Sequence, residues 1–163
     1  MAASAPSSSR TADLPNAVRR RVGVPPDRVF AVLADGWLYP TWVVGAARMR
    51  DVDPEWPSVG SRLHHSFGLW PLMLDDVTEV LEYDPPHRLV LQAHGWPAGE
   101  ARVTVVAEPD AAGGCEIVLG EDATHGPGAF VPTPIRALGI ATRNRETLRR
   151  LAYLTEGRTA PLS

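Results

Sequence analysis

The stretch PIRALGIATRNRETLRRLAYLTE, residues 134–156, decides the fold, because its length and periodicity predict a long helix. With about 3.6 residues per turn, small and apolar residues recur on one side of it and charged residues on the other. The first side is formed by Ala137, Ala141, Asn144, Leu148, Leu151, Ala152 and Thr155. The second side is formed by Arg136, Arg143, Glu146 and Arg150. We therefore predict a helix with one face buried against a partner surface and the other face in water.

Upstream of this helix the pattern changes to strands separated by turns. Alternation of apolar and polar residues predicts seven strands, at residues 18–24, 47–53, 61–67, 72–83, 87–95, 101–108 and 115–123. Two short helices are predicted between the first two strands, one starting at Pro25 and Pro26 and one limited by Pro40. The later connections are too short for parallel crossovers. The predicted fold class is therefore α+β, with a curved antiparallel sheet of about seven strands wrapped around a long C-terminal helix.

The dimensions of these elements predict a cavity. A single helix is about 10 Å across, whereas a sheet widens by about 4.8 Å with each strand. One helix therefore cannot cover the buried face of such a sheet, and space remains between them unless large side chains fill it. This space is where we expect a ligand to bind.

Composition limits the classes of function. The chain has 163 residues, 44% of them hydrophobic and 21% charged, which suits one globular domain. Its 16 basic residues are all Arg, but acidic residues outnumber them and the net charge is -3. Without a clustered basic face, no nucleic-acid partner is expected.

The cysteine content and the terminal segments indicate a cytoplasmic protein. Cys115 is the only cysteine, so no intramolecular disulfide can form, and beside a Gly-Gly turn we expect it to be structural. Residues 1–15 lack the apolar core of a secretion signal, and no apolar run approaches about 18 residues, so stable membrane insertion is not expected. We expect a disordered tail at residues 1–16, one domain at 17–157 and a second tail at 158–163.

Standard signatures of metal and cofactor sites are missing from the sequence. No Cys or His cluster has zinc spacing, and there is no Gly-rich phosphate loop. We therefore expect neither a metal nor a cofactor. The sequence leaves the oligomeric state open.

Several phrases, together with the order of the predicted elements, carry a family resemblance. They are VPPDRVFAVLAD (24–35), VGSRLHHSFG (59–68), TEVLEYDPPHRLVL (78–91), GEARVTVVAEP (99–109) and RNRETLRRLAYL (143–154). In this order they resemble the helix-grip superfamily, which includes START domains, birch-pollen-allergen-like proteins and bacterial polyketide cyclase/dehydrase and lipid-transport-like proteins. The resemblance implies a hydrophobic small-molecule cavity between the sheet and the long helix. It assigns no catalytic residue.

Tryptophans are the clearest unusual feature of the sequence. Trp37, Trp42, Trp70 and Trp96 lie in or beside segments that are expected to border the cavity. Ordinary packing is the simpler explanation for any one of them. Together they predict a binding wall for a planar or aliphatic ligand, because indole offers a large apolar surface at a low cost in entropy.

Two histidines are candidate ligand-binding residues. His65 shares a strand face with Leu63 and Phe67, so its imidazole is expected to point inward. A hydrogen-bonded core histidine is the alternative to a binding role. The pattern does not decide which face of its strand His94 occupies, and it is kept as a candidate.

Glu121 is expected to bring a carboxylate to the same interior, because it shares a strand face with Ile117 and Leu119. A buried carboxylate needs a partner. Asn144, within the buried stripe of the helix, is one possible partner, and Arg145 at its edge is another. Glu121 and Asn144 are therefore candidate ligand anchors, and a purely structural tie between sheet and helix is the alternative.

Three functions are consistent with these features. The first is a binding module that encloses a hydrophobic small molecule, whether polyketide-like, aromatic or lipid. The second is an enzyme of the cyclase or dehydratase type, in which Glu121 or His65 moves protons on a carbonyl compound. The third is a protein-interaction module.

Overall fold

The computed structural model describes residues 14–69, 71–95, 99–125 and 133–157. Its strands are β1 (Val18–Val22), β2 (Ala46–Val52), β3 (Arg62–Leu69), β4 (Leu72–Asp84), β5 (Arg88–Gly95), β6 (Gly99–Pro109) and β7 (Cys115–His125). Its helices are α1 (Pro26–Leu33), α2 (Tyr39–Trp42) and α3 (Thr133–Gly157), with a short 3-10 helix at Gly36–Leu38 directly before α2. The predicted order of elements is confirmed, with boundaries that differ by a few residues at most.

The strands form one antiparallel sheet in the order β1-β7-β6-β5-β4-β3-β2. From β2 onward each strand pairs with its successor through a short connection, as expected for antiparallel neighbours. β1 and β2 are consecutive in the chain but lie at opposite edges of the sheet. The segment that contains α1 and α2 connects these two edges. The predicted fold class, an α+β fold with a curved sheet around the C-terminal helix, is confirmed.

Prolines set the limits of the two short helices. Pro26 lies in the first turn of α1, where its missing N–H costs no hydrogen bond, and Asp27 places a negative charge near the same helix end. Pro40 lies in the first turn of α2, which is only 4 residues long. Both helices contact α3. They therefore tie the connection between the sheet edges to the long helix.

The long helix has the two predicted faces. Its buried side carries Asn144, Thr147, Leu148, Leu151, Ala152 and Thr155, while the side chains of Arg136 and Ala137 lie outside the described part of the chain. On the solvent side, hydrogen bonds from Arg149 and Arg150 lower the pKa of the Glu146 carboxyl to about 2. α3 has 25 residues, but no helix in the described ranges is both long and apolar enough to cross a membrane.

The core fills the space between α3 and the nearest strands. α3 packs on β1 and β7, and Ile117, Leu119, Leu148 and Leu151 are at most 1% exposed. Cys115 is fully buried at the start of β7, and burial, helped by nearby Asp110, raises the pKa of its thiol to about 11. A thiol so rarely ionised is a poor nucleophile, in keeping with a structural role.

The N-terminal segment makes contacts before β1 begins. The backbone N–H of Glu121 donates to the carbonyl oxygen of Pro15 at 2.9 Å, and Nδ2 of Asn16 donates to the carbonyl oxygen of Glu121 at 3.0 Å. Residues 14–16, which the sequence assigns to a tail, therefore lie against β7. The rest of the two predicted tails, residues 1–13 and 158–163, lies outside the described residues.

Candidate functional site

A cavity of about 80 Å³ lies between the sheet, α2 and α3. Its apolar lining comprises Trp42, Val43, Val44, Phe67, Leu91, Ala93, Ala101, Val103 and Leu119. Its polar lining comprises Tyr39, His65, Asp76, Glu121, Arg143, Asn144 and Thr147. An apolar chamber with a few converging polar groups is the composition expected of a small-molecule site.

The sizes of side chains along β5 and β6 explain where the cavity lies. Ala93 pairs with Ala101 across the two strands, and the pair two residues further along is Leu91 with Val103. Two methyl groups leave space where larger side chains would reach toward the helices. Both pairs line the cavity, and the alanine pair contributes the smaller side chains.

A series of hydrogen-bonded side chains runs along one wall of the cavity. Nε2 of His65 lies 2.9 Å from Oγ1 of Thr78, and Oη of Tyr39 lies 3.3 Å from the same oxygen. The nearest carboxylate oxygen of Asp76 lies 3.7 Å from Nε2 of His65. The pairing of β3 with β4 produces this cluster, because its register places His65 opposite Asp76 and Leu63 opposite Thr78.

Burial keeps His65 and Tyr39, the two ends of this series of hydrogen bonds, neutral. Tyr39, His65, Asp76 and Thr78 are each at most 6% exposed. Burial is the largest influence on His65 and lowers its pKa, although the Asp76 carboxylate acts in the opposite direction. Burial also raises the pKa of Tyr39 to about 12. At pH 7 both residues are therefore uncharged, and each retains a proton to donate or a lone pair to accept one.

Glu121 faces inward, as predicted, and is 5% exposed. Its Oε2 atom accepts a hydrogen bond from Arg143, and not from Asn144 or Arg145 as the sequence suggested. The helical pattern places Arg143 on the solvent side, and its side chain is 35% exposed. The prediction of the partner was wrong because a long Arg side chain can carry its charge away from the face on which its Cα lies.

Two buried nitrogen atoms at the cavity have no hydrogen-bond partner within the described part of the chain. They are Nδ1 of His65 and Nδ2 of Asn144, and each of these residues is 2% exposed. An unpaired buried polar group costs about 1–3 kcal/mol, so each one calls for an explanation. Both residues belong to the lining of the cavity.

Four of the predicted binding residues line the cavity, namely Trp42, His65, Glu121 and Asn144. Trp37 does not line it, since its side chain is 58% exposed and borders a separate surface depression beside Trp56. The reason is the 3-10 helix, in which residues three apart share a side. Gly36 and Tyr39 take the buried side, which turns Trp37 outward.

The other predicted residues lie elsewhere or cannot be placed. His94 is exposed, and its Nδ1 lies 3.3 Å from Oε1 of Glu100. It belongs to the strand face opposite to that of Leu91 and Ala93, both of which line the cavity. Trp70 and Trp96 lie outside the described residues.

Sequence reasoning missed four polar residues of the site, which are Tyr39, Asp76, Arg143 and Thr147. Tyr39 could have been found from its position one turn before Trp42, because residues three apart in a short helix share a side. Thr147 could have been found from its spacing of three from Asn144. Its Oγ1 accepts a hydrogen bond from the backbone N–H of Val44 at 3.2 Å, which ties α3 to the turn after α2.

Replacing Asn16 with alanine should destabilise the fold by about 1–2 kcal/mol. The change removes the hydrogen bond to Glu121, worth about 1 kcal/mol, and forces alanine into a backbone with φ of 49°, which asparagine tolerates better. Urea denaturation measures the loss. Asn16→Gly removes the same bond without the backbone cost, so it should be less damaging than Asn16→Ala. Equal losses for the two variants would show that backbone conformation contributes nothing here.

Comparison with known proteins supports the fold. Protein NE0264 from Nitrosomonas europaea superposes with a TM-score of 0.68 at 17% identity, over 92% of this chain and 99% of that one. TTHA0849 from Thermus thermophilus gives 0.63 at 15% identity, over 88% and 98% of the two chains. Ara h 8.0201 gives 0.65 at 13% identity, over 85% and 95%. At these identities the likeness shows the shared helix-grip fold alone.

The curated proteins contain no match to this sequence. The family described as "Polyketide cyclase / dehydrase and lipid transport" matches residues 17–156. This range runs from just before β1 almost to the end of α3, and it includes every residue that lines the cavity. The chain therefore belongs to the polyketide cyclase/dehydrase and lipid-transport family.

Proposed function

We propose that this protein binds a compact, largely apolar small molecule in the cavity between the sheet, α2 and α3. The observation that carries the proposal is a mostly apolar chamber whose lining includes His65 and Asn144, two buried residues that each keep one side-chain nitrogen without a hydrogen-bond partner within the described residues. Family membership supports it, because the family's description includes lipid transport and cyclisation of polyketides.

The volume of the cavity restricts the ligand. A single water needs at least about 10–15 Å³ of such space, so a cavity of about 80 Å³ holds roughly five to eight non-hydrogen atoms. A ring compound or a short polyketide-like fragment fits this size. A long-chain lipid does not fit within the described walls. Among the three ligand classes that the sequence suggests, the geometry therefore favours the aromatic or polyketide-like ones.

Polar contacts should decide the affinity. Burying about 200 Å² of apolar ligand surface at about 25 cal/mol per Å² contributes about 5 kcal/mol. Association costs about 4–15 kcal/mol, so apolar enclosure alone would bind weakly. The Nδ2 group of Asn144 can only donate, which calls for an acceptor such as a carbonyl oxygen on the ligand. Nδ1 of His65 accepts or donates according to its tautomer.

Replacing Asn144 with leucine should weaken ligand binding by about 10–100-fold, because a ligand acceptor left unpaired in the cavity costs about 1–3 kcal/mol. The same change should leave stability unchanged or raise it by about 1 kcal/mol, since it removes an unsatisfied buried group. The ligand would be identified by native mass spectrometry of protein purified from its own host and then titrated by calorimetry. Stability would be measured by urea denaturation.

Thr155→Val provides the matched control. Thr155 is also a buried polar residue of α3, at 1% exposure, but its hydroxyl already bonds the carbonyl oxygen of Ala152 at 2.8 Å, and it does not line the cavity. This variant should lose some stability and no affinity. A purely structural Asn144 would give the same result as the control, with stability lost and binding kept, and that result would contradict the proposal.

A further inference from the structure

We propose that a surface depression between β1 and α3 binds a small phosphate monoester through Arg20 and Arg145. Within the described ranges, this depression shares no lining residue with the cavity. The inference therefore goes beyond the proposed function and does not depend on it. It gives a role to two arginines that are not part of the cavity lining.

The run Arg19-Arg20-Arg21 in β1 is divided between the two faces of the strand, because successive side chains of a strand point to opposite faces. Nη1 of Arg19 lies 3.0 Å from Oε2 of Glu116, and Nη2 of Arg21 lies 2.9 Å from Oδ2 of Asp110. Two of the three charges are thus neutralised on one face of β1. Arg20 lies on the other face.

The face that carries Arg20 packs against the long helix. On that face Val18 and Val22 are 7% and 4% exposed, and β1 contacts α3. Arg20 of β1 and Arg145 of α3 are both exposed, and both line one depression of about 430 Å³. Its described lining consists of Ala17, Val18, Arg19, Arg20, Arg145 and Leu148. The fold therefore brings together two arginines from the first strand and the last helix.

No counter-charge in the described part of the chain accompanies these two arginines. Neither Arg20 nor Arg145 forms a hydrogen bond or an ion pair with a described residue, and none of the described lining residues is acidic. Acidic residues are nonetheless the more numerous in the chain, at 19 against 16 basic ones. Like charges that share a depression repel each other. A bound anion would replace this repulsion with two attractive contacts.

The charge of the two guanidinium groups favours a phosphate monoester over other anions. A guanidinium group presents its N–H donors in a planar fork that matches pairs of phosphate or carboxylate oxygens. A carboxylate balances only one guanidinium, whereas a phosphate monoester carries a charge of about −1.5 to −2 at pH 7 and balances both. A phosphate group alone, at about 10–15 Å³ for each atom the size of a water molecule, fills a minor part of the depression. The remaining space, beside Ala17, Val18 and Leu148, suits the organic part of an ester.

Titration with phenyl phosphate at pH 7, followed by NMR of the arginine Nε–H groups, tests the site. This probe exceeds the roughly five to eight non-hydrogen atoms that the cavity holds, so it reports on the depression. The wild type should bind it saturably. Arg20→Gln and Arg145→Gln should each weaken binding by roughly tenfold, because each removes a charge-assisted contact. Their missing Nε–H signals identify the two arginines whose signals shift in the wild type.

Matched variants and ligands separate this site from general attraction to positive charge. Arg21→Gln removes the neighbouring charge of β1, which Asp110 already neutralises and which does not line the depression, so it should bind phenyl phosphate like the wild type. Benzenesulfonate, which has the same ring and a single charge, should bind the wild type roughly tenfold more weakly. Both glutamine variants at the site should keep the urea midpoint of the wild type, because the replaced side chains are exposed and unpaired within the described residues.

Three outcomes would overturn the inference. The first is equal weakening by Arg21→Gln, which would show attraction to the β1 surface in general. The second is equal affinity for phenyl phosphate and benzenesulfonate, or shifts that rise with concentration and never saturate. The third concerns the source of the phosphate: inorganic phosphate should bind several-fold more weakly than phenyl phosphate, and equal or tighter binding would exclude an ester as the preferred ligand. None of these results bears on the cavity, whose function is tested separately at Asn144.

Discussion

Replacing Gly45 with alanine is expected to lower the free energy of unfolding by about 2–5 kcal/mol. Gly45 has a φ of +102° in the turn between α2 and β2, a region that costs other residues about 1–2 kcal/mol. A Cβ atom there would also overlap the ring of Phe67. Overpacking of this kind adds about 1–3 kcal/mol. Urea denaturation of the two proteins gives the difference directly.

Gly60→Ala is the matched control for this substitution. Gly60 has a similar φ of +87°, but a Cβ atom there would meet nothing within 4 Å. It should therefore show the backbone cost alone, about 1–2 kcal/mol. The excess at Gly45 measures the clash with Phe67, and equal losses at the two positions would show that Phe67 moves aside freely. Because Phe67 lines the cavity, Gly45→Ala should also weaken ligand binding, whereas Gly60→Ala should not.

Local periodicity was enough to predict the fold. The strands alternate with a period of two and the last helix repeats every 3.6 residues, and both patterns follow from the geometry of a single element. The buried positions of α3, such as Leu148 and Leu151, could therefore be identified without knowledge of any other part of the chain. The short helices could also be predicted from local sequence, because Pro26 and Pro40 restrict the backbone only of residues next to them.

The site depended on information that no single element carries. Asp76 and Thr78 join His65 only through the register between β3 and β4, and a shift of one residue would have placed both on the opposite face. Trp37 was misplaced because the segment before α2 forms a 3-10 helix, in which Gly36 and Tyr39 take the buried side and Trp37 turns outward. Side chains that face inward were predictable, whereas the partners they would meet were not.

The second large effect on stability is expected at the ion pair between Glu121 and Arg143. Replacing Arg143 with methionine should cost about 3 kcal/mol of unfolding free energy, because the Glu121 carboxylate is left without its partner at 5% exposure. Breaking one side of a buried pair typically costs about 3–5 kcal/mol. The lower end applies, since the Arg143 side chain is itself 35% exposed and water can replace part of its contribution. Chemical denaturation at pH 7 measures the loss.

Arg145→Met and a double variant complete the experiment. Arg145 lies two residues after Arg143 on α3 and is exposed. Its replacement should change the free energy of unfolding by less than about 0.5 kcal/mol, as for most surface substitutions.

Glu121→Gln combined with Arg143→Met should be more stable than Arg143→Met alone, because no unpaired charge remains buried. The coupling energy of this cycle should be at least about 1 kcal/mol for residues in direct contact. A coupling near zero, or an equal loss for Arg145→Met, would mean that the sheet and α3 are held at the cavity by apolar packing alone. In that case Glu121 would contribute little to the stability of the fold and would be free to bind the ligand.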